Sequence, residues 1–514
     1  MDFLKTVLLF SIGVVLSFNS TAQQRLSVDP AATFQTIDGF GASDAWRTQF
    51  VGKNWPIDKR EYIADLLFSK ELDKKGNPKG IGLSVWRYYI GTGSTELGDS
   101  SDIKNEWRRS ECFINADGTW DWTKNAGQEW FLYAAQKRGV EKFLGFSIAA
   151  PVSMSINGKG YSIKEDPRIN VKPGKLDDYA SYLVEVLKHY QAKGISFDYL
   201  SPFNEPQWDW SKANQEGTAA TNEDIFLFTK YLSQELQQSG LKTQLLLGEA
   251  GKLDFLYEEH SDEARGDQID HFFDASSPLY LADLPHVSPM ITGHSYFTTW
   301  PLSSQYQVRK RLQEKMSAYP GLGFLQTEFC ILEKSPEIGA GQERDLGMNT
   351  ALYVARVIHS DITIAQSQGW QWWTALTTFD FKDGLIYLDT DDNSDLFNRD
   401  RMKENGQVRE SKLLWALGNY SRFVRPGMVR VSTSLQGEGD SLQVSAYLDK
   451  SDLVVVINNH EDFDQKIEVG DEFDAQDLYI TDATRNLAHV QIRKGQIEIP
   501  KRSVVTITGK TESN

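Results

Sequence analysis

The chain reads as an α/β protein built on a (β/α)8 TIM barrel with a C-terminal β-sandwich side domain. Three observations predict this. Eight short apolar runs alternate with stretches of helical periodicity. After Pro426 that texture gives way to short alternating segments. Acidic, amide and aromatic residues recur just where the apolar runs end.

The eight runs are 37–41, 81–90, 142–150, 195–203, 243–248, 287–294, 321–328 and 369–375. Between the third and fourth, Tyr179, Tyr182, Leu183, Val186, Leu187 and Tyr190 recur at helical spacing, and Gly194 supplies the stop. The next unit repeats the pattern. Thr221 caps a helix bearing Ile225, Phe228, Tyr231, Leu232 and Leu236, and Gly240 closes it before the Gln-Leu-Leu-Leu-Gly strand. An open doubly wound sheet is the rival arrangement, but it calls for a Gly-rich phosphate loop after its first strand. Gly39-Phe40-Gly41 lacks the third glycine.

Beyond Pro426, segments 442–447, 453–458, 466–469, 490–492, 497–499 and 504–507 are short, alternating and separated by turn residues, an all-β pattern. Segment 25–28 is strand-like and is expected to pair with this module. The expected divisions are 1–22, 23–36, 37–425 and 426–514. The first is a signal peptide: Lys5 precedes an apolar stretch at 7–18, too short to span a bilayer, and Ser20-Thr21-Ala22 offers a cleavage site. The mature protein is expected to be secreted or periplasmic, monomeric and not inserted in a membrane. A net charge of -17 disfavours nucleic acid and anionic membranes as partners.

Cys112 and Cys330 are the only cysteines, and buried free thiols are expected rather than a disulfide. No Cys or His pair stands at zinc-ligand spacing, and no cofactor or metal is called for. Asp389, Asp391, Asn393 and Asp400 loosely follow a calcium-loop spacing, but Ser394 occupies the turn-glycine position, so a solvated acidic loop is the better reading.

Polar residues at matching strand ends point to the chemistry. Arg87 ends the second run, Asn204 and Glu205 the fourth, His294 and Tyr296 the sixth, and Glu328 the seventh. Trp370, Trp372 and Trp373 lie on the eighth. Singly, Arg87 reads as a surface ion pair and His294 as a satisfied core histidine. Together they surround two carboxylates at one mouth of a barrel, the minimum for cleaving a glycosidic bond. Arg87 and Tyr296 would keep Glu328 charged and aimed as nucleophile. Glu205, its pKa raised by that neighbouring charge, would serve as acid and then base, and Asn204 would hold the sugar 2-hydroxyl. Asp44 either touches sugar or caps the next segment. Trp46, Trp208, Trp210 and Trp373 are candidate stacking platforms among the 14 tryptophans.

Four motifs carry a resemblance: Asp38-Gly39-Phe40-Gly41-Ala42-Ser43, Ser201-Pro202-Phe203-Asn204-Glu205-Pro206, Gln326-Thr327-Glu328, and the run Asn419–Gly427 around Tyr420-Ser421 and Pro426-Gly427. The chain resembles glycoside hydrolase family 30 over nearly its whole mature length. That resemblance implies a retaining barrel enzyme with a fourth-strand acid/base, a seventh-strand nucleophile and a side β-sandwich. Gly39–Trp46 and Asn204-Glu205-Pro206-Gln207-Trp208-Asp209-Trp210 look most like the endo-β-1,6-galactanase-like branch, implying a β-linked galactan. Relatives that cut β-1,6-glucan, xylan or glucosylceramide supply the alternatives, and a noncatalytic carbohydrate-binding protein is the rival from another class. Ala150-Pro151-Val152-Ser153-Met154 lacks the aromatic that many relatives carry there.

Overall fold

The computed structural model describes residues 24–164, 166, 168–260, 264–436, 441–492 and 497–511. The signal-peptide expectation for residues 1–22 lies outside them. Strand β1 (Gln24–Thr36) comes first, and the next eight strands close the barrel: β2 (Gly39–Ser43), β3 (Val85–Tyr89), β4 (Lys142–Phe146), β5 (Tyr199–Ser201), β6 (Gln244–Ala250), β7 (Val287–His294), β8 (Gly323–Glu328) and β9 (Gly369–Trp372). Every neighbouring pair is parallel, and Gly39 opposite Gly369 completes the ring. All eight strands correspond to the apolar runs. The fourth is shorter than its run, with only 199–201 in the ladder.

The helices form for the reasons the sequence supplies. Helix Leu176–Ala192 buries Tyr179, Tyr182, Leu183, Val186, Leu187 and Tyr190, and Gly194 follows with φ +88°. Thr221 caps helix Asn222–Ser239: its hydroxyl accepts from the Asp224 amide, and the Asp224 carboxylate accepts from the Thr221 amide. Tyr231, placed on the buried face by spacing, is instead 43% exposed. Helix Thr48–Asn54, which follows the loop carrying Trp46, sits so close to helix Ala126–Lys137 that a Cβ on Gly127 would stand 1.8 Å from the Gln49 carbonyl oxygen.

After the barrel closes, β10 (Thr374–Thr377), β11 (Gly384–Asp389) and β12 (Gln407–Glu410) form a small sheet of their own that the sequence reading did not anticipate. It corrects the solvated-loop reading at its first residue. Asp389 is buried and paired with Arg344 and Arg409, whereas Asp391, Asn393 and Asp400 are exposed.

The side domain is one nine-stranded, mostly antiparallel sheet in which β1 is an interior member. It pairs antiparallel with β13 (Val429–Gln436) on one side and parallel with β16 (Gln465–Val469) on the other. The remaining strands are β14 (Leu442–Asp449), β15 (Asp452–Asn459), β17 (Phe473–Thr481), β18 (Ala488–Gln491), β19 (Ile497–Ile499) and β20 (Ser503–Thr511). Strand periodicity sorts their side chains. Leu453, Val455 and Ile457 join a core with Leu26, Ile467, Ile499 and Ile507, where the sheet folds over itself. Val454 and Val456 instead join the barrel's own core, their strand packing against helix Met348–Thr363, while helix Lys412–Ser421 meets β17 and β20. Amides pin this joint: Asn419 donates to Thr506 Oγ1 (3.0 Å), and Asn458 donates to the Ala355 carbonyl (3.2 Å).

Candidate active site

The C-terminal ends of the barrel strands converge on a cavity of about 280 Å³. Glu205 and Glu328 both line it, together with Asn204 and Tyr296. Trp46, Trp210 and Trp373 supply aromatic wall. A carboxylate oxygen of Glu205, one of Glu328 and a ring nitrogen of His294 all lie within 4.8 Å of one another.

Irregular backbone aims these groups. Glu205 and Glu249 both adopt left-handed conformations, φ +49° and +44°, which cost a non-glycine residue on the order of 1 kcal/mol each. The Glu205 amide donates to the Glu249 carbonyl (2.8 Å), tying the two strand ends together. The ladder between β6 and β7 slips between Leu247 and Ala250, and that between β7 and β8 slips at His294. Such irregularities re-aim side chains at barrel rims. Gly248, at φ +106°, stands so close to β7 that a Cβ would meet the Thr292 carbonyl at 2.3 Å.

Beneath the cavity floor is a fully buried charged cluster. Arg87 donates through Nη1 to Glu328 (2.6 Å) and through Nη2 to Asn204 Oδ1 and Glu249, both at 3.0 Å. Tyr296 donates its hydroxyl to the other Glu328 oxygen (3.0 Å). His294 bridges Glu205 through Nδ1 and Glu249 through Nε2, each at 2.9 Å. Ser201 and Thr327 donate to the Glu249 carboxylate as well.

The electrostatics divide the acids. Burial pushes the Glu205 carboxyl up; the hydrogen bond from His294 opposes this, and the charge of Glu328 reinforces it. Burial acts on Glu249 in the same sense, but the Arg87 charge and the His294 hydrogen bond outweigh it and hold Glu249 at about 2. Burial works against a charged His294, yet the Glu328 charge and its two carboxylate partners lift it to about 10. With Arg87 and His294 positive and Glu249 and Glu328 negative, the cluster is neutral when Glu205 holds a proton. A buried group of charges favours that balance.

The sequence-predicted residues sort into three sets. Asn204, Glu205, Tyr296, Glu328, Trp46 and Trp373 line the cavity as expected. Arg87 and His294 belong to the site but are fully buried under it, where they contact the glutamates rather than the cavity itself. Asp44 and Trp208 are corrections. Asp44 has no exposed surface; it accepts from the Tyr89 amide (2.9 Å) and Gln128 Nε2 (3.0 Å), and burial raises its carboxyl to about 7. It therefore neither faces sugar nor caps helix Thr48–Asn54 with its side chain. Trp208 packs edge-on against Phe255 and Phe297, while Trp210, whose Nε1 donates to the Glu205 carbonyl, takes the place in the wall. Trp370 and Trp372 are wholly buried behind the barrel wall, donating to Asp361 and to the Asp383 carbonyl. Cys112 and Cys330 are both buried and free. Sequence reasoning missed Glu249, although an acid after Leu-Leu-Leu-Gly obeys the same strand-end rule as the other two glutamates. It also missed Arg47, Arg108 and Asp383, which come from loops with no period to flag them.

Residues 23–387 match the family model described as O-glycosyl hydrolase family 30. The chain belongs to glycoside hydrolase family 30. It is similar to an endo-β-1,6-galactanase of Hypocrea rufa, 26% identical over 262 residues; the match covers 47% of this chain and 52% of that protein, so it spans about half the length of that curated relative. Among solved structures, a conserved exported protein from Bacteroides fragilis superposes with a TM-score of 0.89 at 36% identity, over 94% of this chain and all of that one. The catalytic domain of xylanase C from Talaromyces cellulolyticus shares the fold, with a TM-score of 0.66 at 22% identity over 95% of this chain and all of that one.

Proposed function

We propose that this glycosidase is an exported, retaining endo-β-1,6-galactanase in which Glu328 is the nucleophile and Glu205 the acid/base. The separation of the two carboxylates carries the reading. Oxygens within 4.8 Å suit the roughly 5–5.5 Å spacing of retaining enzymes, not the roughly 6.5–9.5 Å that leaves room for an inverting water. In the first step a Glu328 oxygen bonds to the anomeric carbon, the glycosidic C–O bond breaks, and the Glu205 proton passes to the departing oxygen. In the second, water attacks the glycosyl ester, its proton returns to Glu205, and Glu328 leaves as carboxylate. His294, held against Glu205 Oε1, donates to the carboxylate that Glu205 becomes between the steps. Asn204 gives its amide oxygen to Arg87, so its NH2 group is the side offered to a sugar hydroxyl.

The galactan assignment rests on the sequence motifs and on the similarity to the Hypocrea rufa enzyme. Export rests on the apolar N-terminal stretch and on the likeness to an exported protein. Incubation with β-1,6-galactan, β-1,6-glucan and glucuronoxylan, with products sized by chromatography and their anomeric configuration followed by NMR, tests the whole reading. Galacto-oligosaccharides released first as the β-anomer are expected. Release of the α-anomer overturns the retaining mechanism, and cleavage confined to xylan or glucan moves the enzyme to one of those alternatives.

A further inference from the structure

Three arginines crowd one aromatic ring, Phe379, that lies behind the active-site cavity, and two of them reach the cavity wall. Arg47, Arg108 and Arg399 stand 4.7, 5.1 and 5.0 Å from the centroid of the Phe379 ring. Arg47 and Arg108 line the cavity together with Glu205 and Glu328. Among the described residues one carboxylate pairs with them: Asp383 is bound by Arg47 Nη1 at 2.8 Å. Arg108 has a single side-chain hydrogen bond, to the neutral amide oxygen of Gln215 (3.2 Å). Among the described residues neither Arg108 nor Arg399 has a carboxylate within ion-pair distance.

The local charge is the reverse of the global one. The chain carries a net charge of -17, so acids to neutralise this wall are plentiful elsewhere. Gathering three cations in a half-buried place with one counter-ion is unfavourable, and repulsion from Arg47 and Arg399 adds to burial in bringing Arg108 down to about 10. Guanidinium groups stacked on a ring keep their N–H edges free, and those edges match a carboxylate or a sulfate ester in bidentate fashion. A neutral sugar leaves this excess charge unanswered; an acidic one completes it.

We propose that Arg108, supported by Arg47 and Arg399, forms an anion subsite beside the catalytic glutamates, which binds a sugar bearing a carboxylate or sulfate ester. The inference rests on the glycosidase reading only for the location of the cavity, because binding can be measured without turnover.

Ligand-observed NMR titration of the full chain with methyl β-D-glucuronide, methyl β-D-galactoside and methyl β-D-galactoside 6-sulfate tests it. The expected result is binding of at least one anionic glycoside about tenfold tighter than the neutral one, weakening as salt rises. The two anionic arms distinguish carboxylate from sulfate. In Arg108→Gln that preference is expected to fall to near unity, with Arg108→Lys restoring part of it. Equal binding of neutral and anionic glycosides by the unaltered protein overturns the subsite, as does a preference that survives in a folded Arg108→Gln. A protein that binds the anionic glycosides selectively yet cleaves none of the three polysaccharides leaves the subsite standing and removes the galactanase reading instead.

Discussion

Two arginines in this barrel have no exposed surface, and each meets buried carboxylate, yet they do opposite things. Arg309 pairs with Asp361 at 2.6 Å. Its Nη1 is held by the carbonyls of Thr298 and Gln305, and Asp361 also receives Ser295 and Trp370. That is one cation and one anion among neutral donors and acceptors, with only the second terminal nitrogen, Arg309 Nη2, left without a partner. Arg87 instead meets two carboxylates at once, with a third glutamate and a histidine in the same hydrogen-bonded group. The Arg309 pair is balanced and sealed, whereas the Arg87 cluster needs one more proton to balance and opens on a cavity. Burial of charge therefore does not mark a functional site here; an odd proton beside a cavity does.

The largest test of this contrast is Glu328→Gln. Loss of turnover on the order of 10⁴-fold is expected, with far-UV circular dichroism and thermal unfolding showing the fold retained. Full activity in that variant would remove the Arg87 cluster from the chemistry altogether. Next comes Asp361→Asn, which leaves Arg309 buried without its counter-ion. We expect a stability loss of about 3–5 kcal/mol in urea unfolding, with kcat of the folded fraction close to that of the parent. A large kcat defect with unchanged stability would reverse the roles of the two arginines.

The pH dependence of stability separates them further. Glu249, held at about 2 against an ordinary value of 4.5, contributes stability that is complete above 4.5 and is lost as pH falls toward 2, on the order of 3 kcal/mol in all. His294, raised to about 10 from 6.5, contributes stability that is complete below 6.5 and is lost as pH rises through 10. The contributions of Glu249 and His294 are therefore both complete between about pH 4.5 and 6.5, whereas the raised Glu205 carboxyl works the other way, its contribution falling as pH rises above 4.5. In Glu249→Gln, the stability deficit relative to the parent is expected to shrink as pH falls from 4.5 to 2; a deficit constant across that range contradicts the assignment. Tyr296→Phe gives the smallest effect. It removes one donor from the Glu328 carboxylate, and kcat/KM should fall about tenfold. No change at all would mean that Arg87 alone orients Glu328.

Most of the barrel was legible because period and punctuation agree: apolar runs, helical stripes, and stops such as Gly194 and Gly240. The two central glutamates were legible because a carboxylate at the end of a buried strand needs a reason. Glu249 carries the same signal and was passed over, as no sequence-local feature says that its strand end meets Arg87 and His294. Asp44 and Trp208 were misplaced because loops have no periodicity. Whether Trp208 or Trp210 enters the cavity depends on the left-handed turn at Trp210, φ +47°, a conformation its side chain does not announce. Arg87 and His294 were found as members of the site, but their full burial beneath the cavity floor was not, since depth is a property of the whole barrel.

Strand β1 has a consequence for how this protein is made. It lies inside the side sheet, and its Val28 amide is bound by Glu472, 444 positions further along the chain. The first described strand to leave the ribosome must therefore wait for β13 and β16 before its edges are satisfied. A chain cut after residue 425 keeps β1 but strips it of β13 and β16 together. The side sheet is thus a clasp closed by both ends of the polypeptide, and it cannot be lifted away as a detachable appendage.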